Sequence, residues 1–222
     1  MTDGAGGPWR ALDGSGPEGN AEPVRCTHLL YLHGFRSSPQ SAKARLVAAW
    51  LAAHRPDVVF HCPQLPPSPA EALRGVLAHT ASWPRETMAV VGSSLGGFYA
   101  TAVAERRGCR AALLNPAVEP ARDLAQYIGE TTAWHDAGER FWFREEFIGE
   151  LRALACGALT QPERYFAVIA KGDEVLDWRE MATRYAGCRI ELLEGGDHAL
   201  SDFEVHLPEV ARFLGLSDPR QS

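Results

Sequence analysis

The sequence has no apolar stretch approaching the roughly 18 residues that a membrane-spanning helix needs, and its first residues, Met1 to Glu22, have no apolar core of the kind a secretory signal carries. Rich in Gly, Pro, Ala and acidic residues, that stretch reads as a disordered leader covering residues 1–25. Cysteine is scarce: Cys26, Cys62, Cys109, Cys156 and Cys188 make an odd count with no Cys-x-x-Cys, which suits reduced, buried thiols in a cytoplasmic protein. No His-x-x-x-His and no His/Cys cluster has ligand spacing, so no metal is expected. Basic runs are short and the net charge is -6, which argues against a nucleic-acid partner. No Lys-Ser/Thr closes a phosphate loop and no Gly-x-Gly-x-x-Gly follows an apolar run, so no nucleotide cofactor is expected either.

What remains is an ordinary globular composition. With 222 residues and 45% apolar content, the chain can bury one substantial core, expected over residues 26–216 with a short tail at 217–222. Six short apolar runs alternate with helical patterns: His28–Leu32, Asp57–Cys62, Met88–Val91, Arg110–Leu114, Tyr165–Ala170 and Arg189–Leu193. Continuous apolar strands joined by helices predict an α/β fold, a mostly parallel sheet of about six strands with helices on both faces. Ser38-Pro39 and Ser68-Pro69-Ala70-Glu71 read as helix starts, the second a capping box. Residues 118–161 interrupt the alternation with a helical, aromatic-rich segment holding Tyr127, Trp134, Phe141, Trp142, Phe143 and Phe147.

The chemistry centres on Gly92-Ser93-Ser94-Leu95-Gly96, a Gly-x-Ser-x-Gly that follows a buried strand and opens a helix. A bare match to that pattern is common, and a Gly/Ser-rich turn without chemistry is the competing reading; the apolar strand before it favours a strained turn that lifts the Ser94 hydroxyl above the sheet. A serine nucleophile needs a base, and the base an orienting acid, in the chain order Ser, Asp, His. Asp173 lies in the loop after the fifth run, with Glu174 as the second choice. Asp177 stands before Trp178-Arg179-Glu180 as a helix cap. His198 follows Gly195-Gly196-Asp197 after the sixth run, whereas His206, ahead of the last helix, reads as structural. The backbone amides of Phe35 and Leu95 are the expected oxyanion-hole pair, with His33 and Gly34 supporting that loop. Arg36 is a candidate substrate contact.

Four stretches together resemble the YqiA/YcfP-type bacterial esterases of the α/β-hydrolase superfamily: His33 to Ala44, Gly92 to Ala100, Leu114 to Val118 and Gly195 to Ala199. Gly172 to Asp177 is similar to the acid loop of the same family. The resemblance spans about Leu29 to Leu214, loosely between Glu119 and Gln161. It implies an α/β-hydrolase fold, Ser94, Asp173 and His198 as the triad, and hydrolysis of a carboxylic ester or thioester. The loose segment falls where such folds carry a lid. A short helical lid at about 118–161 would bring Trp142 and Phe143 to an acyl chain; the same aromatics would equally serve to pack short helices on the body. Non-catalytic binding of a small ligand and cofactor-free perhydrolysis are the alternatives to a serine esterase or thioesterase.

Overall fold

A computed structural model describes residues 24–132 and 140–217. The leader up to residue 23, Trp134, His135 and the tail from 218 lie outside them. The body is a three-layer sandwich on a six-stranded parallel sheet. Its strands are β1 (His28–Leu32), β2 (Val59–His61), β3 (Met88–Ser93), β4 (Arg110–Leu114), β7 (Tyr165–Ala170) and β8 (Arg189–Leu193), in the order β2-β1-β3-β4-β7-β8. The central strands β3 and β7 are buried along their whole length, which is why they read as unbroken apolar runs rather than alternating ones.

Successive side chains leave a strand on opposite faces, so each strand feeds two cores. Leu30, Leu32, Met88 and Val90 join α2 (Pro69–His79), α3 (Leu95–Arg107), α5 (Glu145–Leu154) and α6 (Trp178–Arg184) on one side. Leu29, Tyr31, Ala89 and Val91 join α1 (Ala42–His54) and α7 (Phe203–Phe213) on the other. The chain moves from β1 outward to β2 and then returns to β3 on β1's other flank. That reversal opens a crevice at the carboxyl ends of β1 and β3, where ligands of open parallel sheets bind.

Two local expectations change. Ser38 does not start a helix: its hydroxyl accepts from Gln40 N–H at 3.1 Å inside a turn, and Ser41 caps α1 three residues later, accepting from Ala44 N–H. Segment 118–161 is not all helical. After α4 (Pro120–Asp123) and one 3-10 turn it forms an antiparallel hairpin, β5 (Gly129–Thr132) with β6 (Arg140–Phe143), before α5. Strand geometry sends Phe143 into the core and Trp142 outward.

Candidate active site

At the end of β3 the chain turns at Ser94, held at φ 56 and ψ -123, and enters α3 directly. The turn is bonded on both sides. Ser94 N–H donates to Leu114 carbonyl at 3.0 Å, and its own carbonyl accepts from Gly97 N–H at 2.8 Å and Ala117 N–H at 3.0 Å. Gly96 is required because a methyl there would overlap the Leu32 carbonyl, so α3 begins in contact with the end of β1. Ser94 occupies the cap position of α3 without capping it, which leaves its hydroxyl for another partner. Among the described residues four that are not glycine have positive φ: Arg36, Ser94, Asn115 and Leu200. All four lie in loops beyond the carboxyl ends of strands, so backbone strain, costing about 1–3 kcal/mol at each such residue, gathers at this one edge.

That partner is His198. Its Nε2 lies 3.0 Å from Ser94 Oγ, and its Nδ1 lies 2.8 Å from Asp173 Oδ2. Asp173 has a fully buried side chain, and its Oδ1 accepts from Val175 N–H and Leu176 N–H, both at 2.8 Å. An ionised carboxylate only accepts, so Nδ1 of His198 carries the proton and Nε2 is left to accept from the serine hydroxyl. The other acids of this loop have separate tasks. Glu174 accepts from the His198 backbone N–H at 3.0 Å, and Asp177 caps α6 by accepting from Arg179 N–H at 2.9 Å.

Asn115 is a residue whose role sequence reading did not find. Completely buried after β4, it accepts from Ala170 N–H at 2.8 Å and donates to the carbonyls of Asp197 at 2.9 Å and His198 at 3.3 Å. It therefore ties the end of β7 to the His198 loop. Its partners lie 55 and 82–83 residues away, and no local signal marks them. From the other face, Lys43 of α1 donates to the Ala199 carbonyl. Burial pulls the Lys43 ammonium down to about 8, against the opposing pull of Asp197 and Asp173.

The loop after β1 forms the opposite wall. Leu65 N–H donates to His33 Nε2 at 3.1 Å, so that nitrogen is unprotonated and Nδ1–H donates to the Gly34 carbonyl at 2.9 Å. His33 thus joins two loops as a neutral imidazole. Gly34 lies against the nucleophile: a methyl on it would stand 3.2 Å from Ser94 Cβ and 3.6 Å from Oγ. Phe35 and Leu95 line a common cavity beside Ser94. Leu95 is the first residue of α3, so its N–H has no acceptor within its own helix and lies at the positive end of the helix dipole.

The cavity holds about 170 Å³ and is also lined by Leu65, Pro66 and Pro67 from the β2–α2 loop, Tyr99 from α3 and Phe141 from the hairpin. Phe35 packs its ring on Tyr127, Phe141 and Phe143 at centroid distances of 5.4, 5.9 and 5.1 Å. Arg36 also lines this space, and its guanidinium donates to the carbonyl and hydroxyl oxygens of Thr132, the latter at 2.9 Å, which fastens the hairpin to the β1 loop. The two aromatic substrate contacts expected from sequence are placed elsewhere. Phe143 is buried behind Phe35, and Trp142, 64% exposed, stands on the outer face of β6. Phe141, two residues before Phe143, is the aromatic of β6 that reaches the cavity. Among the remaining histidines, His206 of α7 pairs with Glu191 of β8 at 2.9 Å, and His61 stacks on His79 at 3.6 Å. Among the described residues no group of side chains is arranged to hold a metal ion, and no helix is long and apolar enough to cross a membrane.

The model of the family described as "Uncharacterised protein family (UPF0227)" matches residues 28–215, nearly the whole described body. The chain belongs to the UPF0227 family. Solved structures place this chain in the α/β-hydrolase fold. Est1E from Butyrivibrio proteoclasticus, solved with ferulic acid, is similar at 15% identity and a TM-score of 0.66, over 90% of this chain and 92% of that one. Alpha/beta hydrolase domain-containing protein 10 from mouse is similar at 17% identity and 0.64, over 86% and 89%. An esterase domain from a Rhodothermus marinus protein is similar at 20% identity and 0.59, over 86% and 89%. At such identities the likeness establishes the architecture of this UPF0227 chain, and its chemistry has to be argued from its own site.

Proposed function

We propose that this UPF0227 protein is a cytoplasmic serine hydrolase that cleaves small-molecule carboxylic esters or thioesters through an acyl-enzyme, without a cofactor. The observation that carries the reading is the unbroken chain of hydrogen bonds from Ser94 Oγ through the His198 ring to buried Asp173. His198 Nε2 takes the hydroxyl proton as Ser94 Oγ bonds to the acyl carbon. Asp173 holds the ring tautomer and stabilises the imidazolium, while Phe35 and Leu95 N–H groups donate to the tetrahedral oxyanion. His198 then gives its proton to the departing oxygen or sulfur as that bond breaks. Water repeats the sequence: it surrenders a proton to His198, its oxygen bonds to the acyl carbon, and Ser94 leaves with the proton returned. The esterase domain from Rhodothermus marinus, similar in fold, supports ester hydrolysis as the reaction class.

The test is labelling of the full-length protein with a fluorophosphonate, followed by peptide mapping. Modification at Ser94 is expected, abolished in Asp173→Asn. A folded protein that takes no label at Ser94 contradicts the reading and favours non-catalytic binding. Peroxide-dependent oxidation outrunning ester hydrolysis in the same preparation would favour perhydrolysis.

A further inference from the structure

Lys43 stands where two local rules disfavour it. It is the second residue of α1, at the positive end of the helix dipole, and the first turn of that helix holds no acid to offset its charge. Burial adds a second cost, pulling the ammonium down further than the attraction of Asp197 and Asp173 restores it. A methionine of similar length would cover the same apolar surface without either cost. Conflicts of this kind are expected at functional sites, where a local rule gives way to position.

What Lys43 holds lies far along the chain. Its ammonium donates to the carbonyl of Ala199, 156 residues later and directly after His198. The same peptide group ends in the N–H of Leu200, which donates to the Asp197 carbonyl at 3.1 Å. Both ends of that peptide are therefore bonded. Leu200 is buried and kept at φ 47, a left-handed conformation that a branched side chain holds only when its surroundings over-determine it. Asn115 meanwhile holds the carbonyls of Asp197 and His198. Lys43 thus secures the one peptide of this corner that Asn115 does not reach.

We infer that Lys43 is a positioning residue for His198: through the Ala199 carbonyl it fixes the loop that sets the ring between Ser94 and Asp173, while lowering the stability of the fold. The inference rests on the hydrolase reading above and names a residue of α1, outside the triad loops, on which the rate depends. Lys43 touches none of the reacting atoms, so its loss should act on kcat rather than KM. The charged groups that face it are Asp197 of the His198 loop and Asp173 of the acid loop, with no acid from the first turn of its own helix. As pH rises through about 8 the ammonium loses its proton, and a charge-assisted bond becomes an ordinary one. The burial cost fades over the same range, because the folded-state value lies below that of the unfolded chain, which keeps the proton longer.

The experiment compares full-length wild type, Lys43→Met and Lys43→Arg by kcat and KM for p-nitrophenyl acetate and butyrate, by thermal midpoint and by fluorophosphonate labelling of Ser94, from about pH 6.5 to about 9.5. At neutral pH Lys43→Met should lower kcat by about tenfold, the effect of one charge-assisted bond, with KM changed by less than about twofold and a midpoint equal to wild type or higher. Lys43→Arg keeps the charge and the donors, and should recover most of that kcat. Above about pH 8 the ratio of wild-type to Lys43→Met kcat should shrink and the gap between their midpoints should narrow. An unchanged kcat in folded Lys43→Met overturns the inference. So does a midpoint that falls in step with kcat, which would make Lys43 an ordinary stabilising contact, or an equal loss of kcat in Lys43→Arg. In each of those cases labelling at Ser94 leaves the hydrolase reading standing, whereas no turnover and no label in wild type overturns both.

Discussion

The sheet edge that carries Ser94, Asp173 and His198 and the hairpin-bearing segment above it meet at one cavity but are held by different kinds of contact. At the sheet edge, position is set by directional hydrogen bonds: the Ser94 turn by backbone bonds to Leu114, Gly97 and Ala117, Asp173 by two amides, and the His198 loop by the side chains of Asn115, Glu174 and Lys43. In the hairpin, position is set by ring packing around Phe35 and by the Arg36 fork on Thr132. Directional bonds among buried groups fix atoms to within a fraction of an ångström, as proton transfer requires. Ring packing tolerates exchange of one apolar side chain for another. Under the proposed function the reaction belongs to the sheet edge and any choice of substrate to the insert, so the two should respond to mutation differently.

The largest effect should come from the sheet edge. Asp173→Asn keeps an acceptor for the two loop amides but offers an N–H toward Nδ1 of His198, forcing the wrong tautomer; kcat should fall by about 10⁴-fold with KM and the thermal midpoint little changed. Next, Asn115→Ala should lower kcat by about a hundredfold and cost about 2 kcal/mol or more, because it leaves a buried Ala170 N–H unsatisfied and frees the His198 loop. Asn115→Asp, which retains the acceptor and loses the donors, should fall between it and wild type; urea titration beside steady-state kinetics reads both effects. Equal losses of stability and activity from Ala and Asp would break the assignment of the loop contact to the Asn115 amide.

Effects in the insert should be smaller and directed at substrate choice. Arg36→Ala should reduce kcat/KM for acetate by less than about tenfold while flattening the chain-length profile, since one charge-assisted clamp contributes about 1.5–3 kcal/mol. Trp142→Ala should change neither kcat/KM by more than about twofold nor stability by more than about 0.5 kcal/mol, as for other exposed positions. A loss at Trp142 comparable with that at Arg36 would mean that substrate reaches the outer face of the hairpin.

The same division explains what was legible in the sequence. Strands β3, β4 and β7 coincide with apolar runs because burial on both faces leaves no polar interruption, and the break at Gly92-Ser93-Ser94 is a local event. Asp173 was separable from Asp177 because a helix cap has its own short pattern. Phe141, Trp142 and Phe143 were not separable: all three are aromatic, so the alternation that sends the first and third inward has no binary signature, and a four-residue strand reads as helix or strand alike. Asn115 directly follows β4, and its contacts depend on loops that only the folded sheet brings beside it. Ser38-Pro39 misled for a related reason: two serines three residues apart offer two caps, and the backbone path chose Ser41.

The central claim is that Ser94 is the nucleophile of an ester hydrolase, and steady-state hydrolysis by purified Ser94→Ala tests it most directly. With folding checked by circular dichroism, turnover of p-nitrophenyl acetate or butyrate should fall by at least about a thousandfold. Turnover retained near the wild-type rate by the folded variant would contradict the account.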